Sequence, residues 1–324
     1  MRNPNEFPLV SVVIPTYDRQ EFLPKAIKTV TNQTYGRIEL IIVDDCSPES
    51  PENIVENAPT EDLQDIDFIR HDENKGVSTA RNSGIERASG EFIALLDDDD
   101  LWTADKIERQ VAEFRRSKDE VGVVCAGIRS VDADGTTIST KRVEHEGDIT
   151  KRLLCGAIIP LPSILVRKDL LVDTGLFDER LRSYEDAEWI IRLSQHCEFR
   201  SVGDPLVISV REGHVQESDN VGTKVEEAYP LFMEKCRPIA TEYGRLFERK
   251  MVGCWSFRAG YASLAHGKPE QARRLLRTAI LTWPFTPEFY LYGLFAALGD
   301  RWYMRARTAK RRIAHRRHEL TAGT

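Results

Sequence analysis

The stretch Glu91 to Trp102, Glu-Phe-Ile-Ala-Leu-Leu-Asp-Asp-Asp-Asp-Leu-Trp, constrains the chain more than any other. Phe92 to Leu96 form a short apolar run behind Gly90, which predicts a buried strand rather than a helix. The run leads straight into four consecutive carboxylates, Asp97 to Asp100. Two unit charges about 4 Å apart repel by about 4 kcal/mol at an effective dielectric near 20. A cation, a shared proton or full exposure must relieve that repulsion, and a solvated acidic turn would do so. Ligands of open α/β sheets, however, bind at the carboxyl ends of strands. Hard cations prefer carboxylate oxygens there and share themselves with substrate phosphates. The position of the run favours a metal site.

The flanking pattern predicts the sheet to which this strand belongs. Leu9 to Ile14 is a β-branched run predicted to stop at Pro15, with Thr16, Tyr17, Asp18 and Arg19 as a polar turn. Helical spacing from Phe22 to Gln33 follows, then a strand over Ile38 to Val43 that ends on Asp44 and Asp45. A second unit repeats the plan: a strand at Asp67 to Arg70, a turn at Asn74-Lys75-Gly76, a helix over Val77 to Ala88 and the Phe92 to Leu96 strand. Lys106 to Arg116 is amphipathic, and Val121 to Ala126 is a further strand. Such alternation predicts an α/β fold with a Rossmann-like, mostly parallel sheet flanked by helices.

Beyond residue 130 the signals change. Cys155 to Pro162 suits a loop lining a pocket, Ser163 to Val166 a strand, and Leu170 to Phe177 a helix stopped at Gly175. Glu185 and Asp186 precede the helical run around Trp189. There a favourable interaction with the helix dipole would explain them without any function. Leu206 to Val210 is the last strand predicted, ending near Arg211 and His214. From Asn220 onward only helices are expected, over residues 225–249, 254–265 and 272–280. Gly267 to Pro284 resembles half of a tetratricopeptide helix pair, too little for a solenoid.

Charge is distributed unevenly. The formal net charge is −7, yet residues 301–318 carry seven Arg and one Lys with no acid. With Glu319 the last 24 residues sum to +7, so the first 300 carry −7 − 7 = −14. A basic tail on an acidic body points to an anionic partner, a membrane surface before nucleic acid. The six cysteines show no Cys-x-x-Cys spacing, which predicts buried thiols rather than a zinc or disulfide framework. The N-terminus lacks a basic-then-apolar segment, so a reduced, cytoplasmic chain is expected. The longest apolar run, Phe289 to Leu298, is about half of what spans a bilayer.

Taken in order, Val12-Val13-Ile14-Pro15-Thr16-Tyr17, Val43-Asp44-Asp45, Asn74-Lys75-Gly76 with Ala80-Arg81-Asn82, Leu96 to Asp99, and Tyr184-Glu185-Asp186 resemble family 2 glycosyltransferases of GT-A fold. Each motif is short, but five in order over roughly residues 8–215 are specific. The resemblance implies an inverting transfer of a sugar from a nucleotide-sugar donor to a hydroxyl acceptor, with Mg²⁺ or Mn²⁺ as cofactor. It implies nucleotide contacts at Pro15, Thr16, Tyr17, Arg19, Asp45, Arg81, Asp97 and Asp98. Metal contacts are implied at Asp99, Asp97 and His214, and a general base at Asp186 with Glu185 beside it. Four Asp stand where the family's pattern has three and a neutral residue, so the metal register could shift by one. The implied division is a GT-A domain over 1–219, with a nucleotide-binding half at about 8–130 and an acceptor half at about 131–219. A helical region with its basic tail occupies 220–324.

Two other functions compete. A phosphohydrolase using a strand-end Asp as nucleophile would need a lysine and further acids on later strands, and no such pattern is present. A non-catalytic nucleotide-binding scaffold would be expected to lack Asp45, Asp97 to Asp99 or Asp186, and all are present. The segment 289–318 sets aromatic and apolar residues ahead of the arginines, the composition of an interfacial helix. Peripheral attachment at the cytoplasmic face of the cell membrane is therefore expected, with a glycan or polyprenyl-phosphate-linked acceptor.

Overall fold

The structure is a computed structural model, and it describes residues 7–211 and 224–299. The described residues divide into two compact units. One runs to Leu153 and resumes at Ala157, and the other joins Leu154–Gly156 to the helices that follow residue 217. The predicted position of His214 and the basic segment 301–318 lie outside the described residues.

The first unit is built on a nine-stranded sheet. Its parallel half comprises β1 (Val10–Thr16), β2 (Ile38–Asp44), β3 (Asp65–Arg70) and β4 (Phe92–Leu95), with β1 between β2 and β4. β1, β2 and β4 are buried along their whole length, which is why they read as continuous apolar runs rather than alternating ones. Helices α1 (Leu23–Thr31), α2 (Glu52–Glu56) and α3 (Val77–Arg87) connect them. α1 buries Leu23, Ala26, Ile27 and Val30, the face its spacing predicts. α3 lies so close to β1 that a Cβ on Gly84 would stand 2.3 Å from Val13 Cγ1. Glycine is required there by close approach.

The sheet turns mixed beyond β4. Strand β5 (Asp100–Trp102) precedes α4 (Lys106–Arg116), β6 (Val121–Val131), β7 (Thr137–Lys141), α5 (Thr150–Leu154) and β8 (Ile164–Arg167). α6 (Leu171–Thr174), α7 (Glu185–Ser194) and β9 (Glu198–Val210) complete the unit. β8 pairs antiparallel with both β4 and β6, β6 runs parallel to β9, and β5 pairs antiparallel with β9. β7 adds to the far end of β6.

Several boundaries differ from expectation. β1 continues through Pro15 to Thr16, because its ladder to β4 ends at Val13 and no partner there needs the missing N–H. The acidic run is not wholly a turn: Asp100 is buried in β5, opposite Ser209 of β9. β9 starts at Glu198, eight residues before the apolar run that marks it, and its register against β6 shifts near Gly127 and Pro205.

The second unit holds α8 (Tyr229–Glu242), α9 (Arg245–Ala265), α10 (Pro269–Thr282) and α11 (Pro287–Leu298), after a π-helical turn over Lys224–Ala228. The single helix expected over 225–249 breaks at Gly244, whose φ of 97° favours glycine. The helix expected to begin at Cys254 is the second half of α9. Gly253 and Gly260 do not interrupt α9, because they make room for α10 and its end. A Cβ would come within 2.6 Å of Trp283 Cβ at the first and 2.9 Å of Leu276 Cγ at the second.

Candidate active site

Parallel pairing brings the carboxyl ends of β1, β2 and β4 to one edge of the sheet, with Thr16 opposite Asp44. Backbone strain gathers in the same region. Asp18, Cys46 and Tyr184 are the non-glycine residues with positive φ among the described residues. They follow β1, follow β2 and precede α7 respectively. Such conformations persist where surrounding contacts impose them, often at functional sites.

The acidic run is pinned from two sides. Thr16 Oγ1 donates to Asp98 at 2.7 Å, and Arg19 Nη1 donates to Asp98 at 3.1 Å and to Asp99 at 2.9 Å. Arg81, buried on α3, donates from Nη2 to Asp97 at 2.7 Å and from Nη1 to Glu185 at 3.1 Å. One guanidinium thus joins the end of β4 to the first turn of α7. Its Nε is buried with no hydrogen-bond partner among the described residues. Two buried carboxyls titrate far above the usual range. Burial drives Asp100 up to about 8, with Asp97 and Asp99 adding to it. Burial likewise drives Asp98 up to about 7, although Arg19 and Thr16 pull it down.

Glu185 and Asp186 open α7, and Tyr184 in the left-handed region sets the angle at which they enter. Burial and then the neighbouring Asp186 raise Glu185 to about 7, against the pull of Arg81. Asp186 accepts from the Ala187 N–H at 2.6 Å. The loop before α7 is fastened from both sides. Asn82 of α3 donates to the Phe177 carbonyl and Glu179 at 3.0 Å each, and accepts from the Phe177 N–H at 2.9 Å. Phe177 stacks on Trp189 at 4.4 Å and lies 5.5 Å from the Arg81 guanidinium.

Not every expected residue stands at this acidic edge in the same way. Asp45 is buried, and its carboxylate accepts from the Lys75 and Gly76 N–H groups at 2.9 and 2.7 Å while facing His71 Nδ1 at 2.7 Å. It ties β2 to the start of α3. Tyr17 is exposed beyond the end of β1, and Pro15 lies within it. Asn82 belongs to the Ala80-Arg81-Asn82 motif but is given no role by it, and Phe177 and Glu179 are given none. Their contacts span some 95 residues of chain, which local spacing does not reveal.

A nine-stranded mixed sheet whose parallel half ends on an acidic cluster and is closed by an acid-bearing helix is the GT-A type of glycosyltransferase fold. The glycosyl transferase family 2 profile matches residues 11–161. A putative teichuronic acid biosynthesis glycosyltransferase of Bacillus subtilis is 31% identical over 192 residues, 55% of this chain and 75% of the relative. A Campylobacter jejuni GalNAc(5)-diNAcBac-PP-undecaprenol beta-1,3-glucosyltransferase is 28% identical over 186 residues, 56% of this chain and 59% of the relative. The chain belongs to glycosyl transferase family 2, and it is a glycosyltransferase. Among solved structures, S. aureus TarS 1-349 in complex with UDP-GlcNAc superposes with a TM-score of 0.61 at 17% identity, covering 88% of this chain and 92% of that one. The Pyrobaculum calidifontis mannosyltransferase PcManGT, in complex with GDP-Man and Mn²⁺, gives 0.53 at 19% identity, covering 93% and 89%.

Proposed function

We propose that the protein is a metal-dependent, inverting glycosyltransferase that moves a sugar from a nucleoside diphosphate donor to a hydroxyl of a lipid-linked saccharide or a related surface-glycan precursor. The observation carrying this reading is the Arg81 brace, which sets the acidic end of β4 against the Glu185-Asp186 turn. Inversion needs one carboxylate to take the acceptor's proton while the hydroxyl attacks the anomeric carbon. Asp186 is that base. Glu185, linked to Arg81, fixes the turn that carries Asp186, and Thr16 and Arg19 fix Asp98 beneath the donor.

The donor set suits a divalent cation. Asp97 and Asp99 offer carboxylate oxygens at a strand end, although no group of three His, Cys, Asp or Glu converges as a cage among the described residues. Mg²⁺ commonly takes one or two carboxylates and completes its shell with phosphate oxygens and water. Such an ion would neutralise charge on the departing diphosphate. The Campylobacter relative's name supports a lipid-linked acceptor, and solved neighbours of this fold, captured with UDP-GlcNAc and with GDP-Man and Mn²⁺, support the donor class.

A membrane surface would complete the picture. No helix of the described residues is long and apolar enough to cross a membrane. Tyr290, Leu291, Leu294 and Leu298 nevertheless leave one side of α11 about half exposed, with Leu281 and Phe285 exposed before it, and the arginine-rich segment follows in sequence. The class is tested by screening nucleotide sugars for donor hydrolysis and transfer with and without chelator, and by the anomeric configuration of the product. Full activity in excess chelator, or retention of configuration, would overturn the corresponding part.

A further inference from the structure

Two thiols come together in the helical unit. Cys254 lies on α9, and Cys155 lies in Leu154–Gly156, the short segment that belongs to that unit. The segment is fastened to α9 on both sides of Cys155. Trp255 Nε1 donates to the Leu154 carbonyl at 2.9 Å, and Arg258 Nη1 donates to the Gly156 carbonyl at 3.0 Å. These anchors straddle the turn after Cys254, so Cys155 is held against it and its sulfur can take a hydrogen bond from the Cys254 thiol. Gly156 makes the approach possible: its φ is 92°, and a Cβ there would stand 3.2 Å from Arg258 Cδ. Both cysteines are partly exposed.

The surroundings favour a thiolate. Lys250, Cys254 and Arg258 recur every four residues, so a single stripe of α9 carries cation, thiol and cation. The hydrogen bond from Cys254, with Lys250 nearby, brings Cys155 down to about 7 despite partial burial. The same hydrogen bond raises Cys254, which makes it the proton-bearing partner. Cys125 and Cys197 behave oppositely, each pushed up to about 12 by burial. A low-pKa, accessible thiol beside a second thiol is the arrangement found where cysteines are oxidised reversibly.

We propose that Cys155 and Cys254 form a reversible dithiol–disulfide site for hydroperoxides, with Cys155 as the attacking thiolate and Cys254 as the resolving thiol. The Cys155 sulfur attacks one peroxide oxygen. An S–O bond forms, the O–O bond breaks, and the leaving oxygen departs as water or alcohol after taking a proton. Cys254 then attacks the resulting sulfenic acid. An S–S bond forms, the S–O bond breaks, and the hydroxyl leaves as water with the proton from Cys254. Sulfur is oxidised and the peroxide reduced, and a small-molecule thiol reverses the bridge by exchange.

The test uses the full chain, reduced and then treated with a slight excess of hydrogen peroxide, followed by thiol blocking and peptide mapping. We expect a Cys155–Cys254 cross-linked peptide that dithiothreitol removes. Cys254→Ser should instead accumulate a dimedone-trappable sulfenic acid on Cys155, and Cys155→Ser should give neither product. Iodoacetamide should label Cys155 about tenfold faster than Cys46 at neutral pH, with a midpoint near 7. The proposal is overturned if Cys155 labels no faster than Cys46, or if peroxide yields no preferred Cys155–Cys254 link. Sugar transfer enters none of these readouts, so the outcome is independent of the proposed function.

Discussion

Arg81 sets the charge balance of the site, because a single buried guanidinium answers two carboxylates from different elements. A lysine at that position keeps the charge but lacks the fork that reaches both partners. Arg81→Lys should therefore fold yet lose about tenfold to a hundredfold in kcat/KM, an estimate equivalent to one or two charge-assisted hydrogen bonds. Unchanged kinetics would mean that the brace is not needed for turnover. Asp186→Asn cannot take a proton at neutral pH. It should retain donor binding, measured calorimetrically, while transfer falls by about 10²–10⁴-fold. Glu185 makes a prediction about stability. Its value rises from 4.5 to about 7 on folding, so the unfolded chain releases this proton first as pH increases. Stability from this group is therefore highest below the unfolded value and declines across that window. Melting curves of Glu185→Gln between about pH 5 and 8 should lack that decline, whatever constant offset the lost contact to Arg81 introduces. Parallel curves for the variant and its parent would contradict the assignment.

At the scale of elements, the placement of Arg81 depends on how closely α3 approaches β1. The Gly84 Cβ position meets Val13 at 2.3 Å, so Gly84→Ala must push the helix off the sheet. Overpacking of this kind costs about 1–3 kcal/mol. The shift would also draw Arg81 and Asn82 from their partners, so activity should fall further than the melting temperature alone suggests. Normal activity at a reduced melting temperature would separate packing from positioning. The same elements show what was legible beforehand. β1, β2, β4, α1 and α4 follow directly from short apolar runs and helical spacing, and the acidic strand end and the Glu185-Asp186 turn stand out as adjacent residues. The pairing of Asp100 with β9 and the contacts of Asn82 with Phe177 and Glu179 depend on neighbours distant in sequence. Pro15 within β1 was misread because local rules penalise proline in a central strand, whereas here the ladder on the affected side had already ended. The helical unit shows the opposite case: Gly253 and Gly260 lie inside α9, where they allow tight packing, and Gly244 is the actual break.

For the whole molecule the governing asymmetry is charge, −14 over the first 300 residues against +7 over the last 24. An acidic body is repelled by an anionic bilayer, so the proposed attachment is expected to run through α11 and the basic segment that follows it. α11 buries Phe289 and Ala296 among the helices and turns Leu291, Leu294 and Leu298 outward. Each lysine or arginine near an anionic surface contributes about 1 kcal/mol, and the eight cations of 301–318 could together outweigh the repulsion if several engage at once. Neither part need suffice alone, since stable anchoring generally takes two signals. Full-length protein should float with phosphatidylglycerol-containing vesicles at low salt, and far less with neutral ones. Truncation after Gly299 should abolish flotation, because the electrostatic part is removed. Leu291→Glu with Leu294→Glu should weaken flotation and steepen its decline with salt, because only the screened electrostatic contribution would then remain. Equal and negligible flotation of full-length and truncated protein on anionic vesicles at low salt would remove the membrane from the proposed function while leaving the transferase untouched.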